Sequence, residues 1–308
     1  MKRIRRARRT LAAFGVSIAL LVGGCARGGE DDSAAIGSGD TIQVDQALRQ
    51  RLPESVRERG TIQFATDPSY APMESFAADG RTIIGFDADL AAALGSVLGI
   101  TIEMVPADFS TALDDLGEGA FDGVLSSMTD TVEREKKADF INYFSAGTSI
   151  LVRRGNPAGV RDLKDLCGHA VAVEQATVQE DLLERSQKGC GARPIAIKTF
   201  KNNADALLQL RTGRAVAVLN DFPPAARLAN DSSSRRHYQL VSTEQYEPGL
   251  YGLAVAKTNT ELRDALHGAL DRLIRAGVYK ELLLRWGLTT GALQTSSINR
   301  VARPDGGS

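Results

Sequence analysis

A chain of 308 residues, 43% hydrophobic and 24% charged, holds enough apolar material for one large or two medium α/β domains. Its formal net charge is −1; leaving out residues 1–24, which carry six positive charges and no negative one, makes it −7, a balance that does not invite nucleic acid. With three histidines and three cysteines, none at ligand spacing, a metal site is poorly supported, and the sequence holds no cofactor motif and no GxSxG, HExxH or Cys–His pairing for covalent or metal-assisted catalysis.

The first residues, MKRIRRARRT, form a positive n-region, and the uncharged run LAAFGVSIALLVGG after them is too short to span a bilayer comfortably. That run ends in LVGGC, which resembles the end of a bacterial lipoprotein signal. The resemblance implies removal of residues 1–24, a diacylglyceryl thioether on Cys25, and a cell-membrane lipoprotein on the extracytoplasmic face. An ordinary secretory signal with an incidental cysteine is the alternative, and Arg8 and Arg9 leave the export route, general or twin-arginine, open. Residues 25–43, rich in Gly, Ser, Asp and Glu, read as a flexible tether.

Folded structure is expected from Val44, with a short helix DQALRQRL that breaks at Pro53 and then the strand TIQFAT, where Ile62 and Phe64 alternate. Two prolines make TDPSYAPMES irregular, which puts Asp67 and Tyr70 on a loop at that strand's carboxyl end. After Asp79-Gly80, FDADLAAALGSVLG places Phe86, Leu90, Leu94, Val97 and Leu98 on one helical face, with Asp87 available as its cap. The strand TIEMVPA follows. Phe109 and Ser110 open a helix carrying Leu113 and Leu116 that stops at Gly117 and Gly119, and FDGVLSS is the next strand. A βαβαβ order predicts a parallel sheet with right-handed crossovers.

FDGVLSS ends in SSMTDTVER, and a strand's carboxyl end opening into a helical turn is where doubly wound folds bind ligands. Arg134 there offers a planar fork of donors to a carboxylate, while Ser127 and Thr129 alternate toward the same face. Taken alone the segment reads rather as a charged, solvated helix, and the rest of the chain is what reverses that reading.

The pattern restarts at Gly147. TSILVRR is a strand, Asn156-Pro157 a break and VRDLKDL a short helix before Cys167; AVAVE, the helix TVQEDLLERSQ, PIAIKTF, the helix ADALLQLRTG and AVAVLND then alternate. Another strand, YGLAVAK, begins at Tyr251. Leu262, Ala265, Leu266, Ala269, Leu270, Leu273 and Ile274 hold the spacing of a helix that ends at Gly277, and VYKELLLRW is the last helix before a polar tail. Two similar halves imply one lobe inserted into the other: residues 44–147 with 250–290 as lobe 1, residues 148–249 as lobe 2, residues 291–308 as tail, and two strand crossovers as hinge. Cys167 and Cys190, an even pair in an exported chain, are most simply a disulfide, with two buried free thiols as the alternative.

FATDPSYAPMESFAADG, IIGFDADLAAALGSVLG, FDGVLSSMTDTVEREKKADF, VAVEQATVQE and AVLND occur in this order from about Thr61 to Leu288. Together they resemble the family 3 extracellular solute-binding proteins of bacterial ABC transporters, which capture polar amino acids. The resemblance implies a two-lobed periplasmic-binding-protein-like α/β fold, each lobe a doubly wound, mostly parallel sheet. It carries the α-carboxylate arginine onto Arg134, with main-chain and hydroxyl contacts at Ser127 and Thr129, and the acid that receives the α-ammonium onto Asp221. Thr177 falls where a helix N-terminus also meets the carboxylate, Tyr70 and Phe109 where the ligand's side chain is sandwiched, and Asp67 where an acid faces that side chain. Ala176 stands where many members have glycine, and Asp221 also suits an N-cap for FPPAARLA.

The resemblance thus implies a monomer that binds an amino acid between its lobes, favouring polar or cationic side chains, and delivers it to ABC permease subunits without cofactor or catalysis. Two other classes share the fold. One is a cyclohexadienyl dehydratase-like enzyme, in which Glu180 could serve as general acid; the other is a receptor that senses a ligand for a signalling partner.

Overall fold

The structure is a computed structural model that describes residues 42–301. Cys25, the signal sequence and nearly all of the 25–43 segment lie outside the described residues.

Eight strands form one path of hydrogen-bonded neighbours in the order Thr101–Pro106, Thr61–Thr66, Gly123–Val124, Tyr246–Ala256, Ala138–Arg153, Ala217–Asp221, Ala170–Glu174 and Ala196–Phe200. The first three run parallel, as do the last three, while the two in the middle pair antiparallel with each other and with their outer neighbours. The parallel strands read as continuous apolar runs because both faces are covered. In the first half of the sheet Ile62, Phe64, Leu90, Leu94 and Leu266 pack on one face and Ala65, Leu116, Val124 and Phe140 on the other. In the second half Val171, Val173, Leu183 and Leu219 fill one face and Leu151, Ala172, Leu210 and Val218 the other. Helices Phe86–Leu98 and Thr260–Arg275 bury the faces that their apolar spacing marks.

Ala138–Arg153 is one strand of 16 residues, where the sequence suggested a new strand starting at Gly147. Its first part pairs with Gly249 through Ala256 and its last part with Ala217–Asp221, so it runs from one half of the sheet into the other beside Tyr246–Ala256. Gly147 sits at that passage. Its N–H donates to Gln245 Oε1 at 2.6 Å, and a Cβ there would lie 2.7 Å from the Tyr246 carbonyl oxygen, so only glycine fits.

Other expectations shift for local reasons. Pro53 does end the first helix, Gln46–Arg49, but it also stands at the N-cap of a second, Glu54–Arg59, where its missing N–H costs nothing. VRDLKDL makes only a single tight turn, Leu163–Leu166. Gly85, not Asp87, occupies the N-cap position of Phe86–Leu98, and Asp87 lies buried in the first turn. FDGVLSS keeps only Gly123–Val124 in the ladder, because the chain turns at Ser127, whose φ is +47°. Ser297–Ile298, in the polar tail, pairs with Ala138–Arg153 at Asn142 and Ile141. Cys167 and Cys190 form a disulfide with a Cα–Cα distance of 5.3 Å.

Candidate functional site

Two strands from each parallel set bring their carboxyl ends to one place: Thr66 is followed by Asp67, Val124 by Leu125 and Ser126, and Glu174 and Asp221 are themselves the last residues of Ala170–Glu174 and Ala217–Asp221. Among them lies a narrow cleft whose enclosed free volume is about 20 Å³, room for about one water, as expected where the two halves already touch across it. All eight residues proposed from the sequence as ligand contacts line it: Asp67, Tyr70, Phe109, Ser127, Thr129, Arg134, Thr177 and Asp221. The lining also includes Glu74, Ser126, Glu174 and Gln179, which the sequence reading did not single out.

Arg134 stands in the short helix Val132–Glu135, whose N-cap Thr131 accepts the Arg134 N–H at 3.2 Å. Its Nη1 donates to the Thr129 carbonyl at 2.7 Å, its Nη2 donates to the Ala176 carbonyl at 2.9 Å, and its Cζ lies 5.4 Å from the centre of the Phe109 ring. Burial lowers its pKa to about 10, which leaves it charged at neutral pH. Ala176 belongs to the second half of the sheet, so this guanidinium joins the two halves. Ala176 itself has a φ of +60°, a left-handed conformation that explains why glycine suits the position.

Asp221 faces Arg134's half from the other side. Its Oδ2 accepts the Tyr70 hydroxyl at 2.8 Å and its Oδ1 accepts Gln179 Nε2 at 2.7 Å. Burial raises its pKa to about 6, against the pull of Tyr70 and Arg134. Although it holds the N-cap position of Phe222–Asn230, its side chain makes no capping bond, so the carboxylate serves the cavity and not the helix.

Thr177 does cap its helix, Val178–Gln187, accepting the Glu180 N–H at 3.3 Å, and its hydroxyl donates to the Glu174 carbonyl at 2.7 Å. Glu180 reaches back to accept the Ala176 N–H at 2.7 Å, a variant of the capping box, and does not line the cavity. Ser127 is also committed. Its hydroxyl donates to Glu74 Oε2 at 3.1 Å and its N–H to Asp87 Oδ2 at 3.1 Å, while Ser126 donates to Glu74 Oε1 at 3.1 Å and Tyr143 donates to Asp87 Oδ2 at 2.9 Å. Burial, with Asp87 beside it, pushes Glu74 well above the usual carboxyl range.

Glu174 has a signal in the sequence that went unread: it ends AVAVE at the carboxyl edge of a parallel strand, the same placement that marked Asp221. Burial and then Asp67 push its carboxyl well above the ordinary range, and burial raises Asp67 as well. Three further contacts join the halves around the rim: Gln175 Nε2 donates to Ser110 Oγ at 3.0 Å, Asn203 Nδ2 to the Ser69 carbonyl at 3.3 Å, and Lys201 pairs with Asp108 at 2.9 Å.

A profile of the family described as bacterial extracellular solute-binding proteins, family 3, matches residues 62–289. The chain is 31% identical over 265 residues to the arginine-binding protein ArgT of Corynebacterium glutamicum, covering 84% of each. A solved ancestral arginine-binding protein bound to arginine matches with a TM-score of 0.69 at 32% identity, over 74% of this chain and 98% of that one. An ancestral amino-acid-binding protein described as a precursor of cyclohexadienyl dehydratase matches with a TM-score of 0.68 at 33% identity, over 76% and 98%.

Proposed function

This chain belongs to the bacterial extracellular solute-binding proteins of family 3, and we propose that it captures an amino acid, with a polar or cationic side chain favoured, for delivery to the permease of an ABC transporter. The observation that carries this is the placing of one cation and one anion, Arg134 and Asp221, on opposite halves of the sheet around one cavity. A zwitterion needs both charges within a few ångströms. Arg134 would exchange its bonds to the Thr129 and Ala176 carbonyls in part for the α-carboxylate, beside the first turn of Val178–Gln187 with its N–H donors. Asp221 would take the α-ammonium. Tyr70 and Phe109 flank the ligand's side chain, and Asp67 repels a distal carboxylate, so aspartate and glutamate are disfavoured.

The relatives named above are binding proteins. Glu180, the acid of the enzyme reading, accepts the Ala176 N–H and is not among the residues that line the cavity, which supports binding over catalysis. A thermal-shift screen of the common amino acids tests the function: a ligand at about a hundred times its dissociation constant stabilises by about 2.7 kcal/mol. If no amino acid raises the melting temperature while prephenate or arogenate is consumed, the proposal is wrong and the enzyme takes its place.

The division into lobes, 44–147 with 250–290 against 148–249, belongs to the same proposal, as does anchoring through Cys25. The two crossing strands would then be the hinge. Membrane partition unchanged by Cys25→Ser would remove the anchor.

A further inference from the structure

We propose that residues 148–249 dock on the anionic phospholipid surface of a membrane through a cluster of arginines at the end of the sheet opposite the cleft. The inference goes beyond amino-acid capture and takes from the proposed Cys25 anchor only the nearness of a bilayer.

Glu174 and Asp221 end their strands at the cleft, so Ala170 and Ala217 begin them at the far end, about 15 Å away. Ala138–Arg153 runs antiparallel to Ala217–Asp221 with Val152 beside Ala217, which brings Arg153 and Arg154 to that far end. Tyr238 pairs with Arg153, and the Arg154 N–H donates to the His237 carbonyl at 2.8 Å, so Arg235 and Arg236 arrive there as well. The helix Asn203–Thr212 finishes on the same side. A Cβ on its C-cap, Gly213, would lie 3.1 Å from Arg153 Nη1, and Arg211 and Arg214 flank that glycine. All six arginines are exposed.

Arginines elsewhere in the protein are held by acids: Arg59 by Asp122, Arg161 by Asp165, Arg185 by Glu247, Arg272 by Asp45 and Arg285 by Asp89. None of the six forms an ion pair with a carboxylate among the described residues. Arg236 Nε donates to His237 Nε2 at 3.0 Å, which neutralises no charge. Asp231, the acid at the start of the loop that leads to Arg235, accepts the Ser233 N–H at 2.9 Å and the Ser233 hydroxyl at 2.5 Å. The wider charge balance follows the same division. Residues 148–249 hold 14 Arg and Lys against 11 Asp and Glu, whereas 44–147 with 250–290 hold 14 against 22. An anionic plane therefore attracts one pole of the protein and repels the other half.

Guanidinium forks bind phosphate oxygens in pairs, and like charges gathered on one face are relieved when an anionic partner covers them. A cluster spread over three segments of chain matches an extended array of phosphates better than a single ion. The chain belongs to an extracellular family, and residues 25–43, between the proposed anchor and the folded body, reach at most about 65 Å. The anionic surface always within that reach is the phosphate plane of the bilayer. Each arginine near such a plane multiplies the partition about fivefold at low salt, and tethering makes a weak contact effective. Because the cluster lies at the other end of the strands, docking leaves the cleft open to ligand.

The experiment is co-sedimentation with vesicles of phosphatidylglycerol and phosphatidylcholine in equal parts, and with vesicles of phosphatidylcholine alone. It uses residues 42–308, without the anchor and the basic leader; all four apolar cores and the disulfide fall within them, so this body folds without the segment that precedes it. We expect at least tenfold stronger partition to the anionic vesicles, lost in about 1 M salt, where the Debye length is about 3 Å. Arg154→Gln, Arg235→Gln and Arg236→Gln together should lower it at least tenfold and leave the melting temperature, and its rise with amino acid, unchanged. Arg211→Gln with Arg214→Gln, in a separate segment, should lower it too. Removing three charges elsewhere, by Arg51→Gln, Arg81→Gln and Lys280→Gln, should leave the partition unchanged. Equal partition of the wild type to the two kinds of vesicle at low salt overturns the proposal and needs no variant to fold; so does an equal loss from the substitutions elsewhere. Binding to poly-L-glutamate without binding to vesicles also overturns it, and makes the cluster a site for an acidic protein. Failure here leaves the Cys25 anchor and amino-acid capture standing, because neither residue 25 nor the cleft enters the vesicle measurement.

Discussion

Asp221 is 5% exposed and accepts hydrogen bonds from Tyr70 and Gln179, yet burial still raises it to about 6. An acid whose pKa is raised by folding contributes stability that is present below its unfolded value, 3.8, and is lost as pH rises through about 6. Asp87, raised to about 6, and Asp130, raised to about 7, act in the same direction. The ligand-free protein should therefore resist urea better at pH 5 than at pH 7.5. For Asp221 alone the shift from 3.8 to about 6 corresponds to about 3 kcal/mol in all, of which a little over about 1 kcal/mol is lost between pH 5 and 7.5, so Asp221→Asn should narrow the difference by about that much. Equal midpoints for the wild type at the two pH values would refute this account. The same variant should bind amino acids about tenfold to a hundredfold more weakly, because the charged partner of the α-ammonium is gone. Arg134→Lys keeps the charge but loses the fork, and calorimetry should show binding weakened at least tenfold.

At the level of elements, the strand Ala170–Glu174 and the helix Val178–Gln187 carry Glu174, Thr177 and Gln179, and the Cys167–Cys190 disulfide encloses both. Cross-linking residues 23 apart in sequence restricts the unfolded chain and contributes about 3 kcal/mol. The double variant Cys167→Ser, Cys190→Ser should lose about that much in urea unfolding. Its affinity should change less, since Ala170–Glu174 remains paired with Ala217–Asp221 and Ala196–Phe200. Unchanged stability would show that the bridge constrains nothing. The start of this helix was legible, because Thr177 three residues before Glu180 is a capping signature. Asp87 misled, because an acid in a first turn looks the same in sequence whether it caps the helix or, as here, faces a buried glutamate and a tyrosine hydroxyl.

For the whole molecule, the side-chain contacts that join the two halves across the cleft among the described residues include Arg134 to Ala176, Tyr70 to Asp221, Gln175 to Ser110, Asn203 to Ser69, and Lys201 to Asp108. Most are single hydrogen bonds, and the Lys201–Asp108 pair is largely exposed and worth at most about 1 kcal/mol. Contacts this weak balance a hinge equilibrium closely enough for one ligand to shift it. Small-angle scattering should show a smaller radius of gyration with a saturating amino acid than without. An unchanged radius across ligands that do bind would argue against closure about the strands Ala138–Arg153 and Tyr246–Ala256.

Periodicity and end signals determined the helix Thr260–Arg275, the place of Asp221 at a strand's end and of Arg134 in the helical turn that follows one, since each is a property of a short stretch of chain. Only the tertiary structure decided that Ala138–Arg153 is one continuous strand, that the Ser127 hydroxyl is given to Glu74, and that Glu174 meets Asp67. Residues 67 and 174 are far apart in sequence and come together only when two strands on opposite halves of the sheet end at the same cavity. Whether a polar side chain there is solvated, paired or left bare for a ligand depends on what the distant half places across from it, which no local pattern records.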